Sequence, residues 1–499
     1  MTDNAIFLGK STRPEVLYLG MANRHGLITG ATGTGKTVTL QILAESFAAA
    51  GVPVFAADVK GDLSGIAMQG EPKDWVMERA KLVGLKDFDQ HATPTIFWDL
   101  FGKQGHPIRT TITEMGPLML SRLMGLTEAQ EGALNIAFKI ADEEGLALLD
   151  LKDLRALLKD LADRGKKITT DYGNINDQTI GAIQRRLVVI DEQGGDQFFG
   201  EPALDIKDFM RTTRDGRGYM NVLAADKLIN APQLYATFLL WLMSELFEQM
   251  PEVGDPDRPR LVFFFDEAHL LFQEAPPALI QKIEQTVKLI RSKGIGIYFV
   301  TQNPLDIPET VLAQMGNRVQ HALRAYTPRE QKAVQVAATT FRPNPRFKTE
   351  TAITELGKGE ALVSVLDMKG VPTMVERTFI RPPSGRSGPI TPEERARIMA
   401  ASPVFGAYDN PVDRESAYEK LKTRAAAQAD AAVAENTARV RTARTGAHTT
   451  TAAPRQRDSA TDRFVKNMAG TVGRQLGTTV ARSIGNALVR GILGGLTRR

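Results

Sequence analysis

Short runs of consecutive apolar residues alternate along the chain with longer stretches in which apolar positions recur every three or four residues. The short runs are Leu27–Thr29, Val52–Ala57, Thr95–Trp98, Tyr219–Ala224, Leu261–Phe265 and Gly296–Val300. Arg318–Arg324 and Ala361–Leu366 follow, with Met374–Ile380 as an edge candidate, and Ile6–Leu19 reads as a strand pair ahead of them all. Uninterrupted apolar runs suit strands covered on both faces, and their alternation with helices predicts an α/β fold with a mostly parallel, doubly wound sheet. Helical stretches include Ala231–Met250 and Ala278–Arg291.

Between about Gly105 and Phe199 the runs give way to helix-period segments at Leu118–Met124, Ala133–Ala141 and Leu151–Leu161. Leu154, Leu157, Leu158 and Leu161 fall at i, i+3, i+4 and i+7, the stripe of an amphipathic helix. The pattern therefore divides the chain into a core from residues 1–104 and 201–385 with an all-helical insertion at 105–200. Arg381–Gly385 closes the core, 386–462 is an extension and low-complexity linker, and 463–499 is a basic amphipathic helix. Ala425–Thr461 is rich in Ala, Thr and Arg and too poor in large apolar residues to pack, so it reads as helix or linker.

Charge sharpens the division. The whole chain of 499 residues carries +4, yet Leu421–Arg499 alone holds 14 Lys and Arg against 4 Asp and Glu, which leaves the preceding body at −6. A basic tail on an acidic body implies an electrostatic partner: nucleic acid, an acidic protein or a membrane surface. Arg474, Arg482, Arg490 and Arg498 recur every eight residues, with Leu476/Val480, Ile484/Leu488 and Ile492/Leu496 at fixed offsets. Gly477 and Gly485 beside that stripe suit close helix–helix approach, so packing on the core or on a neighbouring subunit is the expected role.

With no cysteine, disulfides and thiolate metal sites are excluded, and the 6 histidines show no zinc-ligand spacing. The longest apolar segment, Leu234–Met243, is too short to span a bilayer. Met1–Gly20, with Asp3, Lys10, Arg13 and Glu15, does not read as an export signal, and a cytoplasmic location is expected.

The chemistry begins where Leu27–Thr29 meets Gly30-Ala31-Thr32-Gly33-Thr34-Gly35-Lys36-Thr37 and runs into a helix from Val38. This strand–loop–helix has the G-x-x-x-x-G-K-T spacing of a phosphate-binding loop. Its glycines let successive N–H groups face phosphate oxygens, and the helix N-terminus adds a positive dipole end. Residues Gly30 to Val38 are thus expected to bind ATP, with the Lys36 charge on the phosphates and the Thr37 hydroxyl on Mg²⁺. Val52–Ala57 ends in Asp58-Val59-Lys60-Gly61-Asp62, a polar loop at the sheet edge where ligands bind, which adds Asp58 to the nucleotide site. Leu261–Phe265 delivers Asp266 and Glu267 to the same edge. Asp266 suits the Mg²⁺ shell and Glu267 the general base that polarises water. Gln302, at the tip of the next strand, is placed to sense the γ-phosphate or orient water, and Arg291 ends a helix just before that strand.

Taken in order, these motifs, with Asp266-Glu267-Ala268-His269, Arg291-Ser292-Lys293-Gly294 and Thr301-Gln302-Asn303-Pro304, resemble the HerA-type helicase/translocase ATPases. Those are relatives of the FtsK DNA pumps in the RecA-like P-loop class, and the resemblance spans about residues 5–380. It implies a ring-shaped hexamer with ATP sites between subunits, pumping DNA through a central pore. It also implies that Arg291 matches the family's inter-subunit arginine finger and Gln302 its strand-tip sensor. Two features depart from the family: only 29 residues precede the loop, too few for the β-barrel of HerA proteins, and the Arg-rich tail is not part of the usual core. The closer likeness is to compact bacterial HerA-like ATPases, and docking to a protein partner is left open.

The DEAH string does not make the chain a superfamily-two helicase, which needs a second RecA domain. The basic turn Arg211–Arg217 suits a solvated hairpin better than a DNA contact. The expected function is ATP-driven DNA translocation; the alternative is an ATP-gated scaffold or signalling switch that moves no DNA.

Overall fold

The computed structural model describes residues 4–165, 176–228, 231–272 and 277–445. The expected tail helix at 463–499 and the linker beyond Thr445 lie outside them.

Among the described residues one sheet of 12 strands runs through the molecule in the order β2-β1-β12-β11-β10-β3-β9-β8-β4-β7-β5-β6. Its strands are β1 (Ala5–Lys10), β2 (Pro14–Tyr18), β3 (Gly26–Thr29), β4 (Val54–Asp58), β5 (Thr95–Asp99), β6 (His106–Pro107), β7 (Met220–Ala224), β8 (Leu261–Phe265), β9 (Ile295–Thr301), β10 (Asn317–Gln320), β11 (Glu360–Ser364) and β12 (Glu376–Ile380). From β10 to β6 every pairing is parallel, whereas β11, β12, β1 and β2 add an antiparallel edge. The parallel strands are buried on both faces, as their unbroken apolar runs require.

Successive side chains leave for opposite faces. Ile28, Val54, Ala56, Phe264, Tyr298 and Val300 pack on one side with Leu40, Leu43 and Phe47 of helix α1 (Lys36–Ala49). Leu27, Phe55, Phe263, Phe265, Ile297 and Phe299 pack on the other, where the core continues into the helices Ile112–Met124, Glu128–Glu143, Leu151–Asp163 and Asp177–Ile190. The helical segment between β6 and β7 therefore shares one core with the sheet. Its start also differs from expectation. His106–Pro107 forms β6, paired in parallel with β5 and too short to leave a sequence signal.

The described residues up to Ala425 form one compact unit, and a second unit begins at Ala426. A few described residues beyond the closing run Arg381–Gly385 return to the core. The Tyr408 ring stands edge-on to Trp98 at 5.6 Å, and its hydroxyl donates to Asp208 Oδ2 at 2.6 Å. Val404, Ala417 and Leu421 join the same core. No helix among the described residues is long and apolar enough to cross a membrane.

Candidate active site

The sheet order brings the chemistry together. β9 lies between β3, which feeds the phosphate loop, and β8, which ends in the acid pair. Gln302, just past β9, is thus held between the loop and Glu267. The Thr32 hydroxyl donates to Gln302 Oε1 at 3.0 Å, and Gln302 Nε2 donates to Glu267 Oε1 and Oε2 at 3.2 and 3.3 Å.

The loop needs its glycines where the backbone turns left-handed. Gly30 has φ 152°, and a Cβ there would stand 2.5 Å from the Cβ of His321; Gly35 has φ 120° at the entrance of α1. Lys36 Nζ donates to the Gly30 and Ala31 carbonyls at 2.7 and 3.1 Å, which holds the ammonium across the loop. Burial lowers its pKa, while the charges of Glu267 and Asp266 oppose that shift. Thr32 and Gly33 are exposed, Thr34 is buried, and Ala31, Thr37 and Val38 are half-buried.

The two acids differ. Asp266 is buried, and desolvation, reinforced by the neighbouring Glu267 charge, pushes its pKa up to about 6. Glu267 is also pushed up by burial, but the hydrogen-bonded Lys60 ammonium outweighs this and holds it below the usual carboxylate range. His269 Nδ1 is 3.3 Å from Glu267 Oε2. Glu267 adopts φ 48°, a left-handed conformation that a non-glycine residue adopts only when its surroundings compensate the strain.

Asp58 sits at the tip of β4, and its carboxylate accepts from the Gly61 and Leu63 amides at 2.7 and 3.1 Å. Both oxygens thus shape the turn that carries Lys60 towards Glu267. Burial, with the charge of Asp62 next, pushes Asp58 up to about 7.

Across residues 4–499 the chain matches the family model described as helicase HerA-like C-terminal. It belongs to that family. Among solved structures this HerA-like chain is similar to the bacterial conjugative coupling protein TrwBdeltaN70, with TM-score 0.51 and 14% identity over 77% of this chain and 92% of that one. It also matches VirB4 of Thermoanaerobacter pseudethanolicus at TM-score 0.49 and 16% identity, over 78% and 98%. At these identities the first likeness speaks for the RecA-like fold alone. No match to a curated protein sequence was found.

In the HerA-like chain Arg291 lies apart from the other site residues. It precedes β9 whereas Gln302 follows it, and at about 3.3 Å per residue that strand places them roughly 20 Å apart, at opposite edges of the sheet. There Arg291 Nη2 donates to Asp255 Oδ1 at 2.9 Å, a carboxylate it shares with Arg24 at 3.4 Å.

For a metal, the described residues hold no cluster of three or more His, Cys, Asp or Glu. Mg²⁺ needs none, since it commonly takes one or two protein oxygens with substrate phosphates and waters. The hard oxygen donors of Thr37 and Asp266 fit that pattern.

Sequence reasoning passed over two groups. Lys60 was visible only as part of a polar loop, because its partner is 207 residues away. His321 lies behind the phosphate loop, with Nδ1 donating to the Glu360 carbonyl at 2.9 Å and Nε2 accepting from Thr39 Oγ1 at 2.8 Å. Burial lowers its pKa from 6.5 to about 4, so the ring is neutral near pH 7. A depressed folded-state pKa gives stability that is present above pH 6.5 and lost as pH falls through 4. The stability gap between wild type and His321→Gln is therefore expected to be widest near pH 7. It should narrow by on the order of 3 kcal/mol towards pH 4. Urea midpoints across that range measure it; a gap that stays constant with pH refutes the neutral buried ring.

Proposed function

We propose that the chain is an ATP-hydrolysing motor of the HerA/FtsK type that couples hydrolysis to DNA translocation or unwinding, working in the cytoplasm as a homo-oligomeric ring, a hexamer. The carrying observation is the continuous hydrogen-bonded chain from Thr32 of the phosphate loop through Gln302 to the Glu267 carboxylate. It supports hydrolysis rather than mere storage of the nucleotide, because it ties the water-polarising acid to the loop that holds the γ-phosphate. Family membership supports the DNA half of the reading.

In this mechanism the loop amides from Gly30 to Thr37 and the N-terminus of α1 cradle the phosphates, and Lys36 exchanges its loop carbonyls for phosphate oxygens. Asp266 and Thr37 would hold Mg²⁺, which would supply positive charge to offset that of the phosphates. Glu267, kept ionised by Lys60, accepts the proton of the attacking water. Gln302 orients that water or registers the γ-phosphate, and Arg291 of a neighbouring subunit neutralises charge on the transferring group.

Loss of a charge-assisted bond contributes about 1.5–3 kcal/mol, so Lys36→Ala should weaken ATP binding by roughly 10- to 150-fold in calorimetry. The wider reading is tested by ATPase rate with and without single- and double-stranded DNA, alongside a mass measurement of the assembly. DNA-stimulated turnover by a ring supports the motor. Turnover indifferent to both DNA forms would instead favour a nucleotide-gated scaffold or switch.

A further inference from the structure

Helix α2 (Asp74–Val83) buries one stripe, Val76, Ala80 and Val83, against the body of the protein. The neighbouring stripe is Trp75, Arg79 and Leu82, and its two apolar members are 45% and 50% exposed. This stripe forms one wall of a cavity of about 660 Å³ whose other wall is Gly35 and Val38, the last loop glycine and the first turn of α1.

The two walls are fixed relative to each other. Arg79 Nη1 and Nη2 donate to the Gly359 and Lys358 carbonyls at 2.6 and 3.1 Å, and its guanidinium lies 5.3 Å from the Phe379 ring centroid. The Gly359 amide in turn donates to the Thr34 carbonyl at 3.1 Å, so the cavity is built onto the phosphate loop itself.

We propose that this cavity receives the nucleoside end of the nucleotide, with the Trp75 indole as the face on which the base stacks. The inference rests on the nucleotide-binding reading above and names where that ligand's other half goes. The cavity begins where the phosphate cradle ends, at Gly35, and its size falls within the range of about 300–1,000 Å³ for small-molecule sites. Its character fits a nucleoside: an exposed aromatic face, apolar Leu82, Val38 and Ile380, and the polar side chains of Glu78 and Ser387 for a base edge or ribose hydroxyls. Exposed apolar side chains singly need no explanation, but an indole and a leucine about two turns apart on one helix, facing a cavity that opens on a phosphate loop, form a ligand wall.

The test compares ATP with inorganic tripolyphosphate, which has the phosphates and no nucleoside, by calorimetry on the full chain. Trp75→Ala is expected to weaken ATP binding on the order of 10- to 100-fold, the usual effect of removing a stacking aromatic, and to leave tripolyphosphate unchanged. Trp75→Phe should restore most of the ATP affinity. Equal loss of both ligands in Trp75→Ala, or wild-type ATP affinity in that variant, would overturn the proposal while leaving the nucleotide-binding reading of the wild type standing. A wild-type protein that binds neither ligand would overturn the nucleotide reading and this proposal with it. A wild type that binds both equally would overturn the nucleoside cavity alone.

Discussion

Glu267→Gln is expected to bind ATP about as tightly as the wild type and to hydrolyse it roughly 100- to 10,000-fold more slowly, the range a positioned general base contributes. The isosteric amide keeps the side chain's size and its capacity to accept from Gln302 Nε2, which donates to both carboxylate oxygens. What it loses is the negative charge that draws Lys60 in and the lone pair that takes a proton from water. Since Lys36 and the loop glycines are untouched, binding should persist, and the variant should accumulate in the ATP-bound state. Single-turnover hydrolysis with equilibrium binding of the same preparation separates the two effects. Near wild-type turnover would show that the base lies elsewhere.

A second large effect is expected at Arg291. Arg291→Ala should retain ATP affinity and lose turnover by on the order of 10³–10⁵, as removal of an arginine finger does. The position of the residue is the argument for action in a neighbour's site. It stands at the sheet edge opposite its own phosphate loop, with a strand of 7 residues between it and Gln302. Its ion pair with Asp255 is surface-exposed, 40% and 57% for the two side chains, so its loss should alter folding stability by at most about 1 kcal/mol. Mixing Arg291→Ala protein with Lys36→Ala protein should restore part of the activity that each lacks alone, because one interface in the mixed assembly pairs an intact loop with an intact arginine. Absence of rescue under proven subunit exchange would count against a shared site.

Much of this architecture was legible because the parallel strands are buried on both faces and write themselves as apolar runs, as at Leu261–Phe265 and Val54–Ala57. The motif spacing likewise located the loop and the acid pair, since a phosphate cradle and a strand-end carboxylate are local features. What was not legible depends on distant partners. Arg318–Arg324 read as one strand, yet β10 ends at Gln320; beyond it the Ala322 carbonyl accepts from the Ala31 amide of the phosphate loop, and the His321 ring hydrogen-bonds Thr39 and Glu360 behind that loop. Helix α2 was hidden because Trp75, Met77 and Leu82 are apolar but exposed and blur the buried stripe of Val76, Ala80 and Val83. The run after Gly385 looked like an extension, since the hold of Tyr408 on Trp98 and Asp208 spans up to 310 positions of sequence.

β9 is the strand that separates the phosphate-loop strand from the acid-pair strand. It is hydrogen-bonded along one side to β3 and along the other to β8, and every residue of it is buried. Such a strand behaves as a stiff rod clamped along its length. Gln302 follows one end, beside the phosphate loop of its own subunit, and Arg291 lies four residues ahead of the other, the group assigned to the next pocket in the proposed ring. Under the shared-site reading, the two contacts are not independent variables. A shift of the strand along its axis carries Gln302 directly and reaches Arg291 through the short turn Arg291–Lys293 and the left-handed Gly294, so occupancy of one pocket and competence of the adjacent one are geometrically linked.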